Sequence, residues 1–243
     1  MKKTALITGC NRGLGKALMN AFANEGYDII AMVRSMNDEF EETVQVLQQQ
    51  GTAVFPICAE LTDKEALRKA FEEIASLDRP VNVLINNAGI NVSKPIFFMD
   101  YEEIEKSFQV NYFAPFFLMK EISGLMVRQG YGNIINITSV TSLVTMPAGA
   151  AYNASKAALN YLTQSGAQEL AQFGVRVNAI ACGVINTDMF SGLKPEVQKK
   201  NLNRVAIKRT AEYSEIANTA LFLCSDKASY ITGQVIRVDG GYV

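Results

Sequence analysis

Seven short apolar runs, each continuous rather than alternating, constrain most strongly what this chain can become. TALIT (4–8), DIIAMV (28–33), AVFPIC (53–58), VNVLIN (81–86), NIINIT (133–138), VRVNAI (175–180) and QVIRV (234–238) read as strands. A strand that is apolar on successive residues has both faces covered, as in a buried parallel sheet. Between the runs lie amphipathic stretches near 13–25, 38–50, 64–77, 101–129, 150–172 and 213–225, which read as helices. The alternating order predicts an α/β fold: a doubly wound parallel sheet of about seven strands with helices on both faces. No Pro/Ser-rich linker, repeat or low-complexity run divides the 243 residues, so a single domain over 1–243 is expected. Segment 184–210 departs from the alternation. It is long, mixed and rich in lysine, and reads as a substrate loop or lid.

Composition narrows the chemistry. Net charge is −1 and only 19% of residues are charged, so no global pull toward nucleic acid or an acidic membrane is expected. The chain has no histidine. That excludes a Ser-His-Asp triad and any zinc site with histidine ligands, and no metal is expected. Cys10, Cys58, Cys182 and Cys224 are scattered without a C-x-x-C pair, and read as reduced thiols of a cytoplasmic protein. The opening MKKTALITGC breaks at Gly9 into a polar turn, too early for a signal peptide. No apolar run is long enough to span a membrane.

Without histidine, another proton donor is needed for acid–base chemistry. Ser139, Tyr152 and Lys156 supply a pattern: tyrosine thirteen positions after serine, lysine four after tyrosine, within YNASK. In a helix over 148–172, Tyr152 and Lys156 share one face, one turn apart. An ammonium near a phenol favours the phenolate. Bringing a tyrosine from pH ~10 to near neutrality requires roughly 4 kcal/mol of electrostatic help, which the lysine and a positively charged nicotinamide would share.

A second pattern follows the first strand. TGCNRGLG places Gly9, Gly13 and Gly15 in a turn that leads into a helix, a spacing that differs from G-x-G-x-x-G but has similar physics. Glycines allow the tight turn, and free N–H groups at the helix start face a phosphate.

These motifs occur in order with NNAG (86–89) and Asn111. Together they resemble the short-chain dehydrogenases/reductases, in their common form of about 250 residues and over the entire chain. The tail SYITGQVIRVDGG (229–241) looks especially like bacterial 3-oxoacyl-acyl-carrier-protein reductases. The resemblance implies a Rossmann-type domain and an NAD(P)-dependent oxidoreductase. Tyr152 would donate a proton to a carbonyl oxygen, and Ser139 would hydrogen-bond the same oxygen. Lys156 would bind the nicotinamide ribose and lower the tyrosine pKa, and Asn111 would hold a water linking Lys156 to solvent. Gly9, Asn11, Arg12, Gly13, Leu14 and Gly15 would line the cofactor's phosphate and adenosine turn. Asn87, Ala88 and Gly89 would pack on the adenine ribose, while Asn86 ties the central strands. Ile185 and Thr187 would contact the cofactor near its carboxamide or pyrophosphate. Two positions depart from the family. Cys182-Gly183 stands where Pro-Gly is usual, and cysteine does not fix the backbone angle. Glu60, followed by Leu61, stands where an aspartate usually meets the adenine amino group.

The end of the second strand bears on cofactor choice. An acid there would bind the ribose 2′-hydroxyl and repel a 2′-phosphate. Here Val33 occupies that place, with Arg34 next and Arg12 in the Gly-rich turn, so NADP(H) is expected over NAD(H).

The substrate is less legible. By resemblance Leu143, Val144, Met146, Met189, Phe190 and Leu193 would make an apolar pocket. Lys194, Lys199, Lys200, Arg204, Lys208 and Arg209, opposed within the segment by Glu196, form either a solvated face or a positive field over a lid. That field would suit a 3-oxoacyl thioester, with an acyl carrier protein as partner. The carrier-docking arginines of the resembling reductases are displaced, however: Gly130 and Phe173 stand in their places, with Arg128 and Arg176 nearby. A soluble ketone, a sugar derivative or a CoA thioester stays open, as do a nicotinamide-binding sensor and a structural subunit. The resemblance, with the long helices at 101–129 and 150–172, implies a homotetramer or at least a dimer.

Overall fold

The computed structural model describes residues 2–192 and 194–243, with the side chains of Asp188 and Met189 outside that description. Two expected pocket contributors, Leu193 and the Met189 side chain, therefore lie outside the described residues. Strands β1 (Thr4–Thr8), β2 (Asp28–Val33), β3 (Val54–Cys58), β4 (Val83–Asn86), β5 (Gly132–Ser139), β6 (Val175–Cys182) and β7 (Val235–Val238) follow the seven apolar runs. They form one sheet in the order β3-β2-β1-β4-β5-β6-β7, with every pairing parallel. The order reverses between β1 and β4, and in such sheets the crevice beyond the strand C-termini at that reversal is the ligand site.

Helices cover both faces. On one side lie α1 (Gly13–Asn24), α2 (Asp38–Gln49) and α9 (Tyr213–Cys224); on the other lie α3 (Lys64–Ser76), α5 (Ala114–Gln129) and α6 (Ala150–Leu170). Period-two alternation sorts each strand between two cores. In β1, Ala5 and Ile7 pack with Phe22, Phe40 and Leu223, whereas Leu6 packs with Ile74, Ile122 and Leu159. The caps are written in the sequence. Asn37 accepts from the Phe40 amide and Asp63 from those of Glu65 and Ala66, satisfying N–H groups that α2 and α3 leave unpaired.

One expected helix is two. The 101–129 stretch comprises α4 (Tyr101–Phe108), a single π turn over Gln109–Phe113, and α5. Pro115 explains part of this. It has no N–H to give the Asn111 carbonyl four residues earlier, so the regular ladder breaks there. The wider turn carries Asn111 inward, where its amide bonds both main-chain groups of Ile90. The 184–210 segment also contains more helix than a plain loop: α7 (Asp188–Ser191) and α8 (Pro195–Asn203). Cys182 keeps β6 in the ladder opposite both Ser139 and Val238, and the next amide, Gly183, bonds the Val238 carbonyl at 3.0 Å.

A buried polar thread ties sheet to helix. Asn86 Nδ2 donates to Asn136 Oδ1 at 2.8 Å, and Asn136 Nδ2 donates to Thr163 Oγ1 at 2.9 Å. Thr163 Oγ1 in turn donates to the Leu159 carbonyl within α6. This bears out the expected role of Asn86 in tying central strands, and extends it to the helix that carries Tyr152. Asn136→Ala leaves a buried donor and acceptor unpaired and is expected to cost about 2–4 kcal/mol. Urea denaturation with an unchanged m-value checks it.

Candidate active site

The expected site residues converge at the C-terminal edge of β1, β4 and β5. Gly9 and Gly13 adopt left-handed φ of 77° and 57°, as the turn before α1 requires. A Cβ on Gly15 would lie 1.9 Å from the Gly9 carbonyl oxygen, so only glycine lets α1 start this close to the turn. Thr8 Oγ1 accepts from the amides of Asn87 and Ala88 at 3.0 and 2.9 Å, and Asn87 Nδ2 donates to the Thr8 carbonyl at 2.8 Å. The turn and NNAG are thus one unit. Asn11 Nδ2 donates to the Ser35 carbonyl at 2.7 Å, drawing the glycine turn toward the loop after β2. Arg12 and Arg34 flank that junction and are both exposed. The cradle fits a dinucleotide: unpaired N–H groups at the start of α1, a floor open only because it is glycine, and two guanidinium groups at its rim.

Ser139 ends β5, and its hydroxyl lies 2.9 Å from that of Thr141. Ser142 Oγ donates to the Ser139 carbonyl at 2.5 Å and accepts from Asn160 Nδ2 at 2.7 Å. Tyr152 sits in the first turn of α6, half-buried and facing the Ser139 side chain. Lys156, one turn on, is buried, and its ammonium donates to the Ile137 carbonyl at 2.8 Å. A Cβ on Gly89 would lie 3.3 Å from Lys156 Nζ and 3.1 Å from Asn111 Oδ1, so the NNAG turn adjoins both. The triplet expected from spacing is therefore assembled beside the cofactor turn.

In the protein without cofactor, burial dominates the electrostatics of the site. Burial pushes the Tyr152 phenol up to about 12, with the Ser139 hydrogen bond pulling weakly the other way. Burial pulls the Lys156 ammonium down to about 8. In the protein alone, loss of water outweighs any lysine field on the phenol, so Tyr152 is a held proton rather than a near-neutral acid. Asn111 also has a structural part besides the expected water contact. Its amide is engaged by Ile90 and by Ser155 Oγ at 3.0 Å, locking the loop after NNAG to α6. The Glu60 carboxylate turns onto its own loop, accepting from Thr62 N and Oγ1 at 3.1 Å, with Leu61 between them. Thr187 Oγ1 accepts from Phe190 N at the start of α7, and Ile185 bridges to Ala211.

Several contributors escaped the sequence reading. Thr141, Ser142 and Asn160 stand behind Ser139, and Ser107 and Ser155 stand behind Asn111. Their only sequence signal is a cluster of small hydroxyls around known motif positions. The lysine-rich segment is less free than expected. Arg209 forks onto Glu215 of α9 at 2.7 and 2.8 Å, and Arg204 is held by Val243 and Met146. Lys194, Lys199 and Lys200 stay exposed. Arg176 is spent inside the fold, on the carbonyls of Ile231 and Ser225.

Comparison with known proteins decides the family. Residues 9–243 match a family model described as enoyl-(acyl carrier protein) reductase. This chain belongs to the short-chain dehydrogenase/reductase family. It is similar to the 3-oxoacyl-(acyl-carrier-protein) reductase FabG of Staphylococcus epidermidis, 36% identical over 241 residues and 99% of each chain. The FabG of Aquifex aeolicus is also 36% identical, over 98% of this chain and 96% of its own. Among solved structures, one assigned as an NAD(P)-dependent gluconate 5-dehydrogenase from Beutenbergia cavernae, with bound NADP at low occupancy, superposes with a TM-score of 0.93. It shows 34% identity and covers 98% of this chain and 96% of that one. A gluconate dehydrogenase assignment from Agrobacterium tumefaciens gives 0.93 at 32% identity, covering 98% and 95%. As a member of this family the chain is an NAD(P)-dependent oxidoreductase acting on CH–OH and C=O groups. No helix among the described residues is long and apolar enough to cross a membrane.

The buried ammonium has a cost that depends on pH. Lys156 titrates near 8 when folded and 10.5 when exposed, so between those values the unfolded chain holds more protons and stability rises with pH. Below pH 8 the folded protein carries the full burial cost, about 3 kcal/mol at most. Lys156→Met is therefore expected to stabilise the fold at pH 7, by an amount that shrinks toward pH 10. Denaturant titrations of both forms across pH 7–10 measure the difference.

Proposed function

We propose that this chain is an NADP(H)-dependent carbonyl reductase whose substrate is a 3-oxoacyl thioester. The observation that carries the reading is the assembly of Ser139, Tyr152 and buried Lys156 next to the NNAG turn. A reduced nicotinamide supplies the hydride when bound. Gly9, Gly13, Leu14 and Gly15 hold the pyrophosphate at the start of α1, and Asn87, Ala88 and Gly89 shape the ribose side. Arg12 and Arg34 bracket a 2′-phosphate, with no acid at Val33 to repel it. The Lys156 ammonium holds the nicotinamide ribose. Ser139 Oγ donates a hydrogen bond to the substrate carbonyl oxygen. The Tyr152 O–H bond breaks as its proton passes to that oxygen, leaving an alcohol and a phenolate. In the protein alone burial raises the Tyr152 phenol, so Tyr152 starts as the protonated donor that the reductive direction needs. Asn111, pinned to Ile90 and Ser155, keeps α6 and the NNAG loop in register.

The thioester reading draws on the FabG relatives, 36% identical across nearly the whole chain, and on exposed Lys194, Lys199 and Lys200 over the lid. The carrier-docking part is weaker, since Arg176 is committed within the fold. The gluconate dehydrogenase assignments among solved neighbours favour a second reading, a sugar acid or its keto form. Both substrate classes are anionic, or carried on an anionic group.

The deciding assay gives the full-length protein a β-ketoacyl-CoA, its uncharged short thioester and 5-keto-gluconate, with NADPH and then NADH. The expected result is the highest kcat/KM for the CoA thioester with NADPH, falling with salt. Preference for the keto-sugar acid moves the assignment to the second reading, and preference for NADH refutes the Arg12–Arg34 clamp. Tyr152→Phe is expected to lower kcat by ~10²–10⁴-fold with cofactor binding retained. Near-full turnover would remove the proposed proton donor.

We further propose a homo-oligomer, a tetramer by family resemblance. Ile96, Phe97, Phe98 and Tyr101 are exposed, as are Phe113 and Phe116 beside the π turn, more apolar surface than a monomer ordinarily shows water. Light scattering at micromolar concentration is expected to give a multiple of 26.6 kDa.

A further inference from the structure

The loop that follows Ser139 carries an unusual residue. Ala148 has a φ of 59°, a left-handed conformation that costs an alanine roughly 1 kcal/mol and persists only where neighbours enforce it. Contacts to the same loop come from two distant segments. Met146, two residues earlier, has its sulfur met by the Tyr242 hydroxyl at 3.1 Å and by Arg204 Nη1. The Arg204 guanidinium lies over the Tyr242 ring, 4.6 Å from its centroid. Arg204 Nε donates to the Val243 main-chain oxygen at 2.5 Å, and the Val243 amide donates back to the Arg204 carbonyl at 3.0 Å. Val205 and Tyr242 form an antiparallel bridge, and both are buried with Val140 in a small third core that Val144, Met146 and Val184 complete. Tyr242 is itself fixed from behind, because Arg237 donates to its carbonyl while paired with Asp239.

Three segments therefore meet at one point: the loop 140–149, the residues after α8, and the residues after β7. Val144 and Met146, expected to wall the substrate pocket, meet there with Tyr242 and Val205, which belong to no expected cofactor or carbonyl contact. We infer that Arg204 and Tyr242 are positioning residues that clamp Met146, and through it the 140–149 loop, so that the lid and the wall beside Ser139 keep a fixed separation. The inference rests on the carbonyl-reductase reading for its kinetic consequence, though not for the clamp itself. With the clamp intact, the wall next to the carbonyl site is rigid and the substrate meets a preset pocket. With it released, Ala148 relaxes toward an ordinary φ and the wall moves away from Ser139. Cofactor contacts on the far side of the site, at Gly9–Gly15 and Arg34, are untouched.

The test uses the full chain in three variants. Tyr242→Phe removes only the hydroxyl, Arg204→Gln removes the charge, and Met146→Leu keeps the volume but removes the sulfur. In protein labelled with [methyl-13C]methionine, the Met146 signal is the one missing from Met146→Leu. It is expected to shift or broaden in Tyr242→Phe and Arg204→Gln without any ligand present. In steady state, KM for the carbonyl substrate is expected to rise about five- to tenfold in both, with kcat within about twofold and NADPH affinity by fluorescence unchanged. An unmoved Met146 signal overturns the clamp, and a moved signal with unchanged KM overturns its role in positioning substrate. If the wild type binds NADPH but reduces no carbonyl compound, the functional reading fails, and the Met146 signal alone then decides whether the clamp exists.

Discussion

The thread of hydrogen bonds from Asn86 through Asn136 to Thr163 is the constraint on which the site depends. Parallel strands buried on both faces tolerate polar side chains only when they satisfy one another. Here the bonded polar groups run sideways across β4 and β5 and then out to α6, with Asn86 Oδ1 left unpartnered at the start of the thread. The helix bearing Tyr152 and Lys156 is thereby indexed to the strand ends that carry NNAG and Ser139. Apolar packing alone fixes the distance between helix and sheet but leaves sliding along the helix axis comparatively soft. Directional bonds remove that softness, which a proton transfer to one oxygen cannot tolerate.

Much of this was legible in the sequence. Apolar runs located all seven strands within a residue or two, because burial on both faces leaves little other pattern in the central strands, while the edge strands β3 and β7 are only partly covered. The glycine turn was legible for a similar reason, since an approach as close as that of Gly15 to Gly9 admits one residue type. Features that depend on distant chain were not. Glu215, which neutralises Arg209, lies outside the lysine-rich segment and meets it only once α9 docks. The phenol's upward shift reflects burial, which no spacing rule encodes. The break between α4 and α5 was partly legible, for Pro115 marks a missing donor. The apolar pattern ran on through it and argued for one helix.

The site also departs from what stability alone would select. A buried lysine on α6, a half-buried tyrosine whose phenol is pushed up by desolvation and an alanine in a left-handed turn each work against folding. All three lie within eight residues of one another in sequence, between Ala148 and Lys156. Two large cores on either side of the sheet supply the surplus stability that lets this short stretch remain strained and desolvated.

The single π turn at Gln109–Phe113 has a consequence for how such a chain can change. A π turn is an α-helix with one residue inserted. Deleting one residue there would close the wider turn, although Pro115 would still interrupt the hydrogen-bond ladder. The bulge absorbs the extra residue, so the helix on either side would keep its facing and only the side chains within the turn would be re-aimed. Asn111, which the wider turn carries inward to Ile90, would lose that position. The extra residue aims one side chain and leaves the packing of the helix beyond it unchanged.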